Sequence, residues 1–210
     1  PCVVACSSTL AGQLRELGIT AEVIRNGVDT SVFRPAAAAD RPKHIIANPN
    51  CATIQLVIVL EALRRAAGLQ RVVATTFQSL SGVGQRGLDA LRAEQRGAAA
   101  HSPFVAPIAG NVIPWIGPRG ADGWNEEEVK VRTEARPILD MPELQVSATC
   151  VRVPVEVGHA IAATVELERP LDRAGARAAL AAMPGLRVCD DARDPLPRDV
   201  AGRDGVRVGH

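Results

Sequence analysis

The chain has 210 residues, 47% of them apolar and 22% charged, enough for one large domain of ordinary globular balance. Lys+Arg 24 against Asp+Glu 23 leaves a net charge of +1, which argues against a broad nucleic-acid or membrane-surface footprint. Three Phe, two Trp and no Tyr leave little with which to build base-stacking platforms.

The elements follow in chain order. A strand-like start leads to Ser7-Ser8, good N-cap residues for a short helix ending at Gly18, and a strand at 21–24 runs into a turn at Asn26-Gly27. Residues 35–43, alanines bracketed by prolines, read as a linker. His44 to Asn48 is a short strand broken by Pro49-Asn50, and 52–67 is a helix stopped by Gly68. Its apolar run 56–63 contains Glu61 and ends at Arg64-Arg65, too short to span a bilayer. A β-branched strand at 70–78 leads through a glycine-rich turn to a helix near 86–97. A connection punctuated by Pro and Gly follows, with a short apolar strand expected at 111–116. A polar helix begins near Trp124, then come strands at 144–155 and 159–168. Asp172 caps a helix through Ala182, and a final strand starts at Gly185. Long strands beside polar helices predict an α+β domain, a mixed β-sheet covered by helices.

Five cysteines at 2, 6, 51, 150 and 189, with no CxxC pair, predict reduced thiols, no zinc and a cytoplasmic setting. Residues 1–5 show no basic leader region. Each cysteine reads by default as a small buried hydrophobe. Cys51 stands apart, because after Asn48-Pro49-Asn50 it falls at or near the first helical position. Helix N–H groups there lower a thiol's pKa and receive an anion, and Asn50 adds an amide donor. Arg152 interrupts an apolar strand and needs an anionic partner if buried. Pro154 and Gly158 let the chain bend between it and His159, so both can approach one pocket. A lone His159 at the start of an apolar strand is more often a structural residue, and Gln78 reads at least as well as a solvent-facing strand end. Glu127 and Lys130 share a helix face, which alone reads as a solvated pair. The Ser81-Gly82-Val83-Gly84 backbone can approach a phosphate or a cofactor ring, a weak signal by itself.

Together the segments IIANPNCATIQL, TTFQSLSGVGQRGLDAL, NVIPWIG…EEEVKVRTEARPIL and LQVSATCVRVPVEVGHA resemble, in order, the catalytic and dimerisation domain of aspartate-semialdehyde dehydrogenases. The likeness covers about residues 41–210. It implies the catalytic-domain fold of the glyceraldehyde-3-phosphate dehydrogenase-like group and an NADP-dependent, reversible reaction. In that reaction aspartate semialdehyde and phosphate give aspartyl phosphate through a cysteine thioester, in lysine, threonine and methionine biosynthesis. By the same resemblance Cys51 is the nucleophile, His159 the general acid/base and Gln78 the residue that orients substrate. Arg152 grips the substrate carboxylate and Glu127 meets its amine, while Lys130 and Asn50 help hold phosphate. Ser81, Gly82 and Gly84 border the nicotinamide. A cytoplasmic homodimer without nucleic acid, membrane or metal is implied.

The family's Rossmann fingerprint does not occur before Cys51, and its C-terminal helix has no counterpart before the chain's last residues. The expected organisation is therefore a short α/β segment and linker at 1–43, atypical of the family, and a catalytic and dimerisation domain at 44–210. A chain so built is expected to bind NADP weakly or not at all. Residues 1–35 are similar to the interdomain stretch of GT-B glycosyltransferases, through the Asn26-Gly27-Val28-Asp29 segment and the following Phe33 and Pro35. A non-catalytic dimerising remnant and, more remotely, a glycosyltransferase fragment stand as alternative readings.

Overall fold

The computed structural model describes residues 49–98, 101–189, 195–203 and 205–209, together with the backbone of three short strands at 3–5, 22–23 and 45–47. The helix expected from Ser7, the turn at Asn26-Gly27 and the linker at 35–43 lie outside the described residues. The short strands β1 (Val3–Ala5), β2 (Glu22–Val23) and β3 (Ile45–Ala47) form a parallel sheet in the order β1-β3-β2.

After Pro49-Asn50 comes α1 (Cys51–Ala67), then β4 (Arg71–Gln78), a 3₁₀ turn (Leu80–Val83) and α2 (Gln85–Gln95). Helix α3 (Glu126–Leu139) is followed by β5 (Gln145–Arg152), β6 (Ala160–Glu166) and α4 (Arg173–Ala181). The described chain closes with β7 (Leu186–Val188), α5 (Pro197–Val200) and β8 (Val206–Val208). Asp172 caps its helix as expected, and two further caps come with the structure. Asn50 opens α1, Asn125 and Glu128 form a capping box on α3, and Asp172 accepts from Gly175 N–H at α4.

The central sheet is mixed, as expected of an α+β domain, in the order β5-β4-β6. β4 runs parallel to β5 and antiparallel to β6. Side chains alternate across it, so Val72, Ala74, Thr76 and Gln78 of β4 are buried, while Val73 and Phe77 on the other face are exposed. The buried face lies against α1 and α3, whose Leu56, Leu60, Val131 and Ala135 join Val72 and Ala148 in one apolar cluster. Each such fully buried aliphatic side chain contributes about 1.5–3 kcal/mol through lost contact with water.

Three expectations need correction. The apolar stretch 111–116 is no strand. It makes a single antiparallel bridge, Ile113 to Arg152, because Pro114 has no N–H to extend a ladder. The strand expected to run to 155 ends at Arg152, two residues before Pro154. The strand at 186–188 is also not the last, since β8 pairs with it in parallel.

Candidate active site

The sheet's connectivity gathers the candidate residues. Parallel pairing of β4 and β5 brings their C-terminal ends together, with Gln78 in register opposite Arg152. The antiparallel β6 starts at that same end, its Ala160 opposite Phe77, so His159 arrives beside them. The buried rows Val72-Ala74-Thr76-Gln78 and Val146-Ala148-Cys150-Arg152 thus turn from apolar to polar as they reach the site. Helix α1 delivers Cys51 at its first position.

His159 Nε2 lies 3.1 Å from Cys51 Sγ. Its other ring nitrogen, Nδ1, accepts from Ser79 N–H at 3.1 Å and lies 3.0 Å from Ser79 Oγ. Arg152 is only 7% exposed. Its Nη1 donates to the Ser79 carbonyl at 2.7 Å, and among the described residues no carboxylate stands within ion-pair distance of it. A desolvated guanidinium with free donors is a ready anion site.

Glu127 sits at the centre of the polar cluster. Its Oε2 accepts from Asn50 Nδ2 at 2.6 Å and from Gln78 Nε2 at 3.3 Å, and its Oε1 from Lys130 Nζ at 3.2 Å. Lys130 also pairs with Glu126 at 2.8 Å. Burial pulls the Lys130 ammonium down, but Glu126 and Glu127 together leave its pKa raised. The bland reading of Glu127 and Lys130 as a solvated pair therefore fails, since Glu127 ties α3 to α1 and β4. Asn50 has both amide atoms committed in this arrangement. Its Oδ1 accepts from Ala52 and Thr53 N–H at 2.9 and 3.3 Å while its Nδ2 faces Glu127.

The electrostatics correct another expectation. The Cys51 thiol is raised, not lowered. Loss of hydration around the sulfur and the nearby Glu127 carboxylate outweigh the helix N–H groups of Ala52 and Cys51 and the charge of Arg152. His159 is lowered, first by burial and then by Arg152. Both shifts favour a neutral thiol beside a neutral imidazole.

The glycine turn runs on past its first four residues. Taken as four residues it is a weak signal, but extended it runs Gly82-Val83-Gly84-Gln85-Arg86-Gly87, the G-x-G-x-x-G spacing, between β4 and the start of α2. Gly84 has φ 79°, and a Cβ there would meet nothing within 4 Å, so the backbone is open to close approach. A Cβ on Gly87 would lie 3.1 Å from the Leu80 carbonyl, the tight helix packing that the third glycine of such a turn permits.

Sequence reasoning missed Ser79 and two buried acids. Glu134 Oε2 accepts from Asn50 N–H at 2.6 Å, and Glu128 Oε1 from Cys150 N–H at 3.1 Å. The only sequence signal for these acids was their place in the three- and four-residue steps that also carry Val131, Ala135 and Ile138 on one face of α3.

Residues 60–210 match the family model described as semialdehyde dehydrogenase, dimerisation domain. The aspartate-semialdehyde dehydrogenase of Streptomyces akiyoshiensis is 41% identical over 197 residues, covering 85% of this chain and 57% of that protein. That of Mycolicibacterium smegmatis is 39% identical over 185 residues, covering 80% and 53%. Among solved structures, aspartate semialdehyde dehydrogenase II of Vibrio cholerae complexed with ASA superposes with a TM-score of 0.83 at 32% identity, covering 99% of this chain and 68% of that one. The chain spans just over half the length of the two sequence relatives. The glycosyltransferase resemblance of residues 1–35 gains no support from these comparisons, and apart from two strand backbones it falls outside the described residues.

Proposed function

This chain belongs to the semialdehyde dehydrogenase family, and we propose that it carries the acyl-transfer centre of an NADP-dependent aspartate-semialdehyde dehydrogenase. The observation that carries the reading is the contact of Cys51 with His159 beside a buried Arg152 that, among the described residues, forms no ion pair with a carboxylate. A substrate with an α-carboxylate would complete the charge of Arg152, and its amine would meet Glu127. Gln78, fully buried at the strand end, would fix the carbonyl between them. Lys130 would help hold phosphate, and Asn50 could join it only by releasing its amide from Glu127.

In the proposed sequence the Cys51 thiol first gives its proton to solvent, and the thiolate then adds to the aldehyde carbon, giving a thiohemiacetal whose oxygen carries the negative charge. The Nε2 proton of His159, held toward the sulfur, is placed to stabilise that oxygen. Ser81, Gly82 and Gly84 fit the nicotinamide end of NADP, because the open backbone at Gly84 admits a flat ring; when bound, NADP accepts the hydride released as the aldehyde is oxidised. Phosphate then attacks the Cys51 thioester and expels the thiolate, forming the acyl phosphate.

The same reading extends to assembly. The exposed sheet face presents Val73, Thr75 and Phe77 of β4 between Thr149 of β5 and Ala162 and Thr164 of β6. It is flat, small-featured and weakly polar, the character of a surface that a second copy would cover. Among the described residues no helix is long and apolar enough to cross a membrane, and a cytoplasmic homodimer belongs to the proposal.

The acyl-transfer half-reaction needs no cofactor and provides the test. Aspartyl phosphate added to this chain should acylate Cys51 and release one phosphate, with the thioester seen by mass spectrometry and lost in Cys51→Ser. No adduct on the wild-type chain would favour the second reading, a dimerising chain that keeps these residues without turnover. The raised Cys51 thiol is the observation on that side.

A further inference from the structure

Ser79 takes no part in the reaction just described, yet each of its polar groups touches the site. The residue is fully buried. Its N–H meets His159 Nδ1 at 3.1 Å, and its carbonyl accepts from Arg152 Nη1 at 2.7 Å. Its hydroxyl lies 3.0 Å from His159 Nδ1 and 3.0 Å from Ser81 Oγ.

An amide N–H can only donate, so Nδ1 facing it must be an acceptor and unprotonated. A neutral imidazole then carries its one proton on Nε2, the nitrogen 3.1 Å from Cys51 Sγ. The opposite tautomer would set two N–H donors against each other in a buried site, leaving one unsatisfied. We propose that Ser79 is a positioning residue: its N–H fixes His159 in the Nε2–H tautomer, and its hydroxyl, backed by Ser81, accepts the Nδ1 proton whenever the ring becomes imidazolium. The amide N–H and the hydroxyl oxygen serve different protonation states. With a neutral ring the hydroxyl hydrogen turns to Ser81 Oγ, leaving the Nδ1 lone pair to the amide. With a charged ring the Ser79 oxygen becomes the acceptor, and Nδ1–H must pivot toward it and off the amide N–H.

The tautomer rests on geometry alone. Its catalytic meaning rests on the reading of Cys51 and His159 as a reacting pair. The charged or titratable groups facing His159 are Cys51 on α1, Arg152 on β5 and Glu127 on α3. All three stay in place when the Ser79 hydroxyl is removed.

Ring ¹⁵N–¹H correlation spectra of the ¹⁵N-labelled chain read both states, with His159 assigned by the signals missing in His159→Gln. Above its titration the wild-type ring should show the Nε2–H pattern. Ser79→Ala should keep that pattern, because the N–H remains, but lower the imidazolium fraction at a given pH about tenfold. Ser79→Thr should restore it. An Nδ1–H pattern in the wild type, or a titration unmoved by Ser79→Ala, overturns the proposal. Neither result depends on acylation of Cys51, so failure of the dehydrogenase reading would be seen separately.

Discussion

His159 Nε2 and Cys51 Sγ stand 3.1 Å apart across 108 residues of sequence. The contact arises because an antiparallel strand begins where a helix presents its first residue. Protein around the sulfur and the Glu127 carboxylate hold the thiol up, while burial and Arg152 hold the imidazole down. Both shifts run toward the uncharged forms, thiol and neutral ring.

Alkylation should expose this ordering. Cys51 is open to solvent, whereas Cys150 and Cys189 are buried and the Cys150 thiol is pushed up to about 12. Iodoacetamide should modify Cys51 before either of them, as followed by peptide mass spectrometry. A raised pKa leaves less thiolate at neutral pH. The Cys51 rate should therefore keep climbing past the ordinary thiol midpoint of ~8.5. A plateau below that midpoint would contradict the raised thiol.

Glu127→Gln isolates the carboxylate's share. Removing its charge while keeping its length should lower the Cys51 pKa and speed alkylation at neutral pH about three- to tenfold. The same change should weaken aspartyl phosphate as a substrate, since the amine loses its counter-charge. An unchanged or slower alkylation rate would mean that Glu127 does not reach the sulfur electrostatically.

Burial lowers the Arg152 pKa, and the charge of Glu127, which forms no ion pair with it, offsets that only in part. Arg152→Met keeps the bulk and removes the charge. The melting temperature should stay level or rise by a few degrees, while acylation by aspartyl phosphate falls about 10–100-fold. A loss of more than about 5 °C would show that the guanidinium is a structural strut rather than an anion receptor.

Much of this was readable in the sequence for physical reasons that can be named. Asp172 announces its helix because a short polar side chain satisfies a free N–H group, and Gly68, at φ 75°, ends α1 where most residues would be strained. The β-branched run at 71–78 gives a strand whose alternation marks its buried face. What escaped was relational. Nothing local shows that Glu127 reaches Asn50 and Gln78, or that Ser79 reaches His159. The thiol's direction was misjudged because a helix-terminus argument sees only the helix, whereas burial and Glu127 come from tertiary packing. β8 is three residues long and exists through its pairing with β7.

Asn50 holds two jobs that substitution can separate. Its Oδ1 caps α1 and its Nδ2 braces Glu127. Asn50→Ala should cost about 1 kcal/mol through the cap, roughly 2–4 °C in a chain of this size. Asn50→Ser keeps a capping oxygen and should recover most of that stability. Both lose the donor to Glu127, so both should show the same altered Cys51 alkylation profile. A normal profile in the Ser variant would remove the amide from the site.

Gly158 gives the sharpest structural test of how His159 is held. Its φ is 90°, and a Cβ there would lie 2.7 Å from the Pro197 carbonyl oxygen and 3.2 Å from the Pro197 Cα. Gly158→Ala therefore adds backbone strain of about 1–2 kcal/mol and a clash that either α5 or the loop before His159 must relieve. Gly202→Ala supplies the control, since its φ is 72° but a Cβ there would meet nothing within 4 Å. Both variants should melt a few degrees lower. Only Gly158→Ala should shift the ring spectrum of His159 and slow Cys51 alkylation at neutral pH, because a displaced Nε2–H no longer stabilises the thiolate. Equal Cys51 rates in the two variants would mean that the Pro197 contact does not set the position of the histidine.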